Sequence, residues 1–370
     1  MNLKKLSLLN FKNYQQLEVE LHSGLNCFVG KNGSGKTNIL DAVYYLCMCK
    51  SYLNPVDRQN IHFGEAFFMI QGTWEHQEKE EEVYCGVKLG HKKVVKKNKV
   101  EYEKLSDHIG QFPCVMISPY DRDLIAEGSA VRRKWIDGII SQSDREYLSN
   151  LITYTKVLER RNMLLKRFYE NGLFEQESIA VWDEQLIALG KEIHRVRTDF
   201  MKAFVPVFQK YYEFIGGTEE IVSVEYRSQL NEGDFAEQLE LHRRKDAQSQ
   251  HSTCGIHKDD LLFTIQGNPI KKFGSQGQQK SFIIALRLAQ FEWLTEQLQK
   301  KPLLMLDDIF DKLDAGRVER LVKLVSDHTF EQVLITDTDQ DRIEQLFVDT
   351  DINYQVIRVD ELEQSPVSYE

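Results

Sequence analysis

No uninterrupted apolar stretch in the 370 residues is long enough to cross a bilayer. The opening Met1-Asn2-Leu3-Lys4-Lys5-Leu6 does not run on into an apolar signal region, because polar residues return by Lys12 and Asn13. Both absences are expected of a soluble, cytoplasmic protein with no membrane partner. Cysteine is sparse and scattered. Cys27, Cys47, Cys49, Cys85, Cys114 and Cys254 are mostly flanked by apolar residues, as small buried hydrophobes are, and do not resemble a disulfide framework. One residue separates Cys47 from Cys49 and no second Cys/His pair has zinc-finger spacing, which argues against a cysteine metal centre. Positive charge is also short: Lys+Arg number 47 against 57 Asp+Glu, a net charge of −10. That balance does not suit a protein that coats nucleic acid without preference, although a local basic groove stays open, because a phosphate contact depends on local potential. Repeats of 20–50 residues and low-complexity tracts are absent.

The chain does have a core's worth of apolar residues, 42%, and length for two domains or one domain with an inserted lobe. Leu3–Leu9 reads as a strand, and Leu17–Leu21 alternates apolar and acidic residues as a half-buried strand does. Leu25–Val29 is a compact apolar run stopped by glycine, and apolar residues then recur at helical spacing from Thr37 to Cys49. Strands are expected at 67–74, 83–89, 221–226, 261–265, 303–306 and 332–335, and helices at 278–300 and 316–327. Between about 132 and 214 the apolar spacing is helical and charge fills the other faces.

The turn between the third strand and the first helix is Gly30-Lys31-Asn32-Gly33-Ser34-Gly35-Lys36-Thr37, a full G-x-x-x-x-G-K-[ST]. Its glycines permit backbone shapes a Cβ forbids and turn amides inward, and the helix adds its positive end. Lys36 is expected to reach the β- and γ-phosphates of ATP, and the Thr37 hydroxyl to ligate Mg²⁺. Leu303–Leu306 ends in Asp307-Asp308. An acid at a strand end beside a phosphate loop is what a Mg²⁺–nucleotide site needs, so Asp307 fits the metal side and Asp308 the base that orients water. A solvated strand end is the plain alternative. Asp311 and Asp314, just beyond, either line a subunit contact or cap the next helix. Ser275-Gln276-Gly277-Gln278 opens a long helix and makes a second anion site, with a capped helix as the alternative. One γ-phosphate hardly needs two such sites in one chain, so Ser275, Gly277 and Gln278 are expected to close over nucleotide held by another subunit.

Phosphate loop, signature stretch and Leu-Asp-Asp strand, in that order, resemble an ABC-type ATPase head. The gap between the first two is about 240 residues, room for a compact helical lobe and not for a long coiled coil. With Asn10-Phe11-Lys12-Asn13-Tyr14, Ser118-Pro119-Tyr120-Asp121, Arg132-Arg133-Lys134-Trp135, Arg160-Arg161-Asn162 and Gly255-Ile256-His257-Lys258-Asp259-Asp260, the chain resembles the RecF family along nearly its whole length. The resemblance implies an α/β head (1–130 with 220–370) carrying an inserted helical lobe (131–219). It implies an ATP-joined homodimer that holds duplex DNA at gaps and helps load recombinase, with RecO and RecR as partners. A nucleotide-dependent protein-interaction switch with weak DNA contact is the alternative, and a transporter subunit a third reading. Two departures from the wider ABC pattern point to slow hydrolysis: Asp308 replaces a catalytic glutamate, and Thr336-Asp337-Thr338 stands where a histidine is expected. Gln71 and the Ser118–Asp121 segment are both candidates for the glutamine loop. His257 is either functional or a hydrogen-bonded core histidine. The lysine run at 91–99 either contacts phosphate or guards a strand edge, and the basic pairs at 132–134, 160–161 and 166–167 are either DNA contacts or a solvated face.

Overall fold

The structure, a computed structural model, describes residues 1–362 apart from Glu78, Lys312 and His328. In chain order the strands are β1 (Asn2–Phe11), β2 (Tyr14–Glu20), β3 (Leu25–Val29), β4 (Phe67–His76), β5 (Lys79–Lys88), β6 (Val94–Lys97), β7 (Val100–Glu101), β8 (Cys114–Ile117), β9 (Val222–Arg227), β10 (Asp260–Ile265), β11 (Asn268–Pro269), β12 (Leu303–Asp307), β13 (Val333–Asp337) and β14 (Tyr354–Arg358). The helices are α1 (Lys36–Met48), α2 (Asp123–Ala126), α3 (Ser129–Ser143), α4 (Arg145–Asn171), α5 (Gln176–Gly216), α6 (Phe235–Ser249), α7 (Ile270–Phe273), α8 (Gln276–Leu298), α9 (Ala315–Ser326) and α10 (Gln340–Phe347).

Contacts divide the chain into two units. The first comprises Met1–Arg122, Tyr211–Gly217 and Gln276–Glu370. It contains an antiparallel sheet ordered β2-β1-β4-β5-β6-β7 and a parallel sheet ordered β14-β3-β13-β12-β8. Every residue of β3, β8, β12 and β13 is buried, which is why these strands read as unbroken apolar runs. Helix α1 packs on β1, β4 and β5 of one sheet and on β8, β12 and β13 of the other. Placed so, it is buried nearly all round, from Ile39 and Leu40 to Leu46 and Cys47. Trp74, Phe68 and Phe11 fill the same core. Parallel register sets Leu306 beside Ile117 and Ile335, Asp307 beside Thr336, and Asp337 beside Val29. The carboxyl ends of β3, β13, β12 and β8 therefore lie in a row, the edge where open α/β sheets bind ligands.

The second unit comprises Asp123–Lys210 and Thr218–Ser275. It holds α3, α4, most of α5, α6 and a small sheet ordered β11-β10-β9. The sequence reading set 220–275 with the nucleotide lobe, but by contact this segment belongs with the helices. Strand β10 packs on α3 and α6 on α4. Two buried arginines tie it there. Arg161 pairs with Asp183 at 2.6 Å and Asp246 at 2.7 Å, and Arg197 pairs with Asp137 at 2.8 Å and Asp259 at 2.7 Å. Short range signals made the strands of this segment visible, while its partners lie 60 or more residues away in sequence.

Each unit also holds a histidine largely withdrawn from water, fully buried in the first unit and partly exposed in the second. His108 is fully buried, stacks on Phe112 and bonds through Nε2 to the Leu46 carbonyl at 2.6 Å. Burial pushes its pKa down from 6.5 to about 4, against the raising effect of that bond. His257 is pushed down to about 4 for the same reason. The unfolded chain therefore takes up these protons first on acidification. Stability from each should be complete above about pH 6.5 and should fall as pH drops toward 4, by up to about 3 kcal/mol per histidine. Urea unfolding at pH 7.5 and pH 5 should show a shallower pH dependence for His108→Gln than for the parent chain; equal slopes would contradict the assignment.

Candidate nucleotide site

Residues Gly30–Thr37 join β3 to α1. Gly35 caps α1 with φ of 107°, and a Cβ on it would sit 2.4 Å from Tyr14 Oη and 2.5 Å from Asn13 Nδ2. Glycine is thus required there by conformation and by space. Asn13 Nδ2 and Tyr14 Oη both donate to the Ser34 carbonyl at 3.4 Å, and Asn38 Nδ2 donates to Asn13 Oδ1 at 2.6 Å. On the other limb the Lys31 amide donates to Asp360 Oδ2 at 3.3 Å. Lys36 is buried, and its ammonium donates to the Gly30 and Lys31 carbonyls at 2.7 and 2.9 Å. Asn32 and Gly33 are exposed at the tip, and the Ser34 hydroxyl is a buried polar atom without a partner. Such a loop, with a buried cation and an orphaned hydroxyl at the start of a helix, suits an anion of several oxygens.

The loop meets the acids through Thr37, whose hydroxyl donates to Asp307 Oδ1 at 2.9 Å. Thr336 donates to the same oxygen at 2.8 Å, and Ser118 donates to Oδ2 at 3.2 Å. Burial raises the Asp307 pKa, and these three hydroxyls and the Lys36 charge oppose the rise. Asp308 is raised by burial first and by the Asp307 charge second. A divalent cation between Thr37 and Asp307 would relieve that cost, so the donor set fits a hard ion with oxygen ligands. A cavity beside the acids is lined by Ser118, Arg122, Gln276, Gln279, Lys280 and Asp308, among others.

The structure thus brings Lys36, Thr37, Asp307 and Asp308 together. Among the described residues, Ser275, Gly277 and Gln278 do not line that cavity; they stand at the start of α8. A Cβ on Gly277 would meet Arg317 Nη1 at 2.5 Å. Asp314 caps α9 by accepting from the Arg317 amide at 3.0 Å, the helix-cap alternative of the sequence reading. Of the two glutamine-loop candidates, Gln71 lies within β4 opposite Ser7 and Tyr84, whereas Ser118 touches Asp307.

Several side chains proposed for DNA are engaged within the fold. Arg161 is buried in its two ion pairs. Arg132 grips Asp260 with two bonds, at 2.6 and 3.1 Å. In the lysine run, Lys93 pairs with Asp57 at 2.9 Å and Lys97 with Glu81 at 2.8 Å. Lys96 lies over the Tyr84 ring. His257 is held by Tyr154 Oη at 2.9 Å and the Ser252 carbonyl at 3.1 Å, the core-histidine alternative. Asp259 joins Arg197 and Tyr226. The sequence reading missed Thr336 as a partner of Asp307, seeing there only a missing histidine. It also missed Asp360, which no motif marks.

The chain matches the family model described as RecF/RecN/SMC N terminal domain over residues 2–363. It is 48% identical over 359 residues to the DNA replication and repair protein RecF of Flavobacterium johnsoniae, covering 97% of this chain and 100% of that one. Its fold is similar to a solved structure of the recombination mediator protein RecF-ATP in the RecFOR pathway, with TM-score 0.86 and 27% identity over 96% of this chain and 95% of that one. A solved Smc head bound to the C-winged helix domain of ScpA is similar in fold, with TM-score 0.55 and 16% identity over 94% of this chain and 92% of that one. With the phosphate loop, paired acids and parallel strand order described above, these likenesses establish an ABC-type ATPase head, and the chain belongs to the RecF family of DNA replication and repair proteins.

Proposed function

We propose that this protein is an ATP-dependent DNA-binding protein of recombinational gap repair. ATP would join two copies across the phosphate loop of one and the Ser275–Gln278 stretch of the other, the pair would clamp duplex DNA near a junction with single strand, and hydrolysis would release it. The observation that carries the reading is the contact of Thr37 with Asp307 at the carboxyl ends of parallel strands. It joins the loop suited to phosphate to the acid suited to a cation.

In this reading Lys36 turns from the Gly30 and Lys31 carbonyls to the β- and γ-phosphates. Thr37 and Asp307 would hold Mg²⁺, which offsets phosphate charge when bound. Asp308 accepts a hydrogen bond from the attacking water and orients it. Hydrolysis is slow in this reading, because an aspartate has one methylene less than glutamate and Thr336-Asp337 supplies no histidine to the γ-phosphate. Partners follow the relatives: a similar protein acts in the RecFOR pathway, which supports RecO and RecR. The net charge of −10 and the paired lysines favour a contact with DNA that depends on the dimer, and they also support the alternative, a protein-interaction switch with weak DNA contact.

Lys36→Met should weaken ATP binding by at least about 100-fold in calorimetric titration, because the phosphate charge loses its partner; unchanged affinity would remove the loop from the site. Asp308→Asn should bind ATP, stop hydrolysis and convert from monomer to dimer with ATP–Mg²⁺ in light scattering, more strongly with gapped duplex DNA. A dimer indifferent to DNA would favour the switch, and absence of an ATP-dependent dimer would end the clamp reading. Ser275→Arg should leave ATP binding to the monomer and block the dimer by bulk and charge at the α8 start; an ordinary dimer would contradict a role across the interface.

A further inference from the structure

Asp308 is the one residue of the site held in a costly backbone conformation. Its φ is 47°, the left-handed region, which a non-glycine residue adopts at a cost of about 1 kcal/mol or more. Asparagine and aspartate tolerate it best, yet such a residue persists only when its surroundings hold it. The Thr336 hydroxyl meets that need. It accepts a hydrogen bond from the Asp308 amide at 3.0 Å and donates its proton to Asp307 Oδ1 at 2.8 Å. Thr336 itself is fully buried and stands directly beside Asp307 in the parallel register of β12 and β13. A β-branched residue in a strand has few rotamers, so the hydroxyl is aimed by its own backbone.

We infer that Thr336 is a positioning residue for hydrolysis: its hydroxyl fixes the turn of chain between the two acids, and so fixes where the Asp308 carboxylate points. This rests on the reading of Asp308 as the group that orients water. Thr336 touches neither nucleotide nor water in this account. It acts on the backbone, by occupying the Asp308 amide that would otherwise be a half-buried donor without a fixed acceptor. A carboxylate displaced by about 1 Å is enough to lose on the order of 100-fold in rate while leaving ground-state binding intact. The position has a further logic. The sequence lacks a histidine at this strand end, and the side chains that stand there, Thr336 and Asp337, turn inward to the fold: Asp337 bonds Arg342 and the Asp339 amide. The strand end serves the neighbouring acids and not the phosphate.

The experiment compares Thr336→Val, which keeps shape and loses the hydroxyl, with Thr336→Ser, which keeps the hydroxyl. ATP affinity is measured by calorimetry, and turnover at saturating ATP with Mg²⁺ by phosphate release; thermal melts check folding. Thr336→Val should bind ATP within about twofold of the parent and turn over at least about tenfold more slowly, and Thr336→Ser should recover to within about threefold. Parent-like turnover by Thr336→Val would overturn the inference. So would equal slowness of both variants, since the hydroxyl would then not matter, and so would loss of ATP affinity in step with rate. If Thr336→Val fails to fold, Thr336→Ala, which also lacks the hydroxyl, takes its place in the same comparison with Thr336→Ser. Asp308→Asn separates the two levels: parent-like hydrolysis by that variant sinks the reading of Asp308, whatever Thr336 does.

Discussion

A carboxylate out of contact with water has to be surrounded by donors, and the first unit is organised around meeting that requirement at Asp307. Its three hydroxyl donors come from three different places in the chain: Thr37 at the start of α1, Ser118 after β8 and Thr336 at the end of β13. They converge only if β8, β12 and β13 are neighbours in parallel register and α1 begins at the same edge. The apolar runs that bury these strands on both faces bring that register about, and the acid then penalises any slip of it. Core and site are in this sense one arrangement. A shift of one residue in β13 would turn Thr336 to the other face of the sheet and leave Asp307 and the Asp308 amide without it.

The second unit solves a different problem with similar chemistry. Its helices carry much charge and its sheet is small, so long-range order comes from buried ion pairs as well as apolar packing. Arg161 gathers Asp183, Asp246 and Ser252, and Arg197 gathers Asp137, Asp259 and the Ile256 carbonyl. Ion pairs of this kind add little net stability compared with apolar residues of equal shape, but removing one member leaves a buried charge unmatched. They are therefore strict about which segment docks where. That strictness accounts for residues 220–275 joining the helices, and it takes Arg161 and Arg132 out of the pool of charges open to DNA.

Much of the first unit was legible in the sequence. The phosphate loop is a local motif, and Leu303–Asp307 and Val333–Asp337 announce themselves as apolar runs with acidic ends. β8 was not foreseen, because Cys114–Ile117 is only four residues long and its signal is the same as that of any short apolar run. Strand β14 and helices α6 and α10 escaped for lack of a motif. The partners of Asp307 escaped for another reason. A threonine or serine at a strand end carries no mark of the residue it will bond, and here the sequence separation runs from 29 residues for Thr336 to 270 for Thr37. Local chemistry names the acids; only register names what holds them. Within 220–275 the strands were recognisable on their own, but the arginine partners of Asp246 and Asp259, 85 and 62 residues away, were not.

The bonds from the Lys36 ammonium to the Gly30 and Lys31 carbonyls bear on how fast and how tightly a phosphate can be taken up. They keep the loop curved by the chain's own atoms, with Asn13, Tyr14 and Asp360 bracing its limbs. On the function proposed above, uptake would exchange one set of partners of a single side chain for another and would not have to order eight residues of backbone. Most of the entropy of shaping the loop is spent during folding, not at the encounter. On the same proposal, selectivity would follow too: a ligand would have to offer the ammonium more than two carbonyl oxygens already do, which a multiply charged phosphate chain can and a singly charged anion does less well.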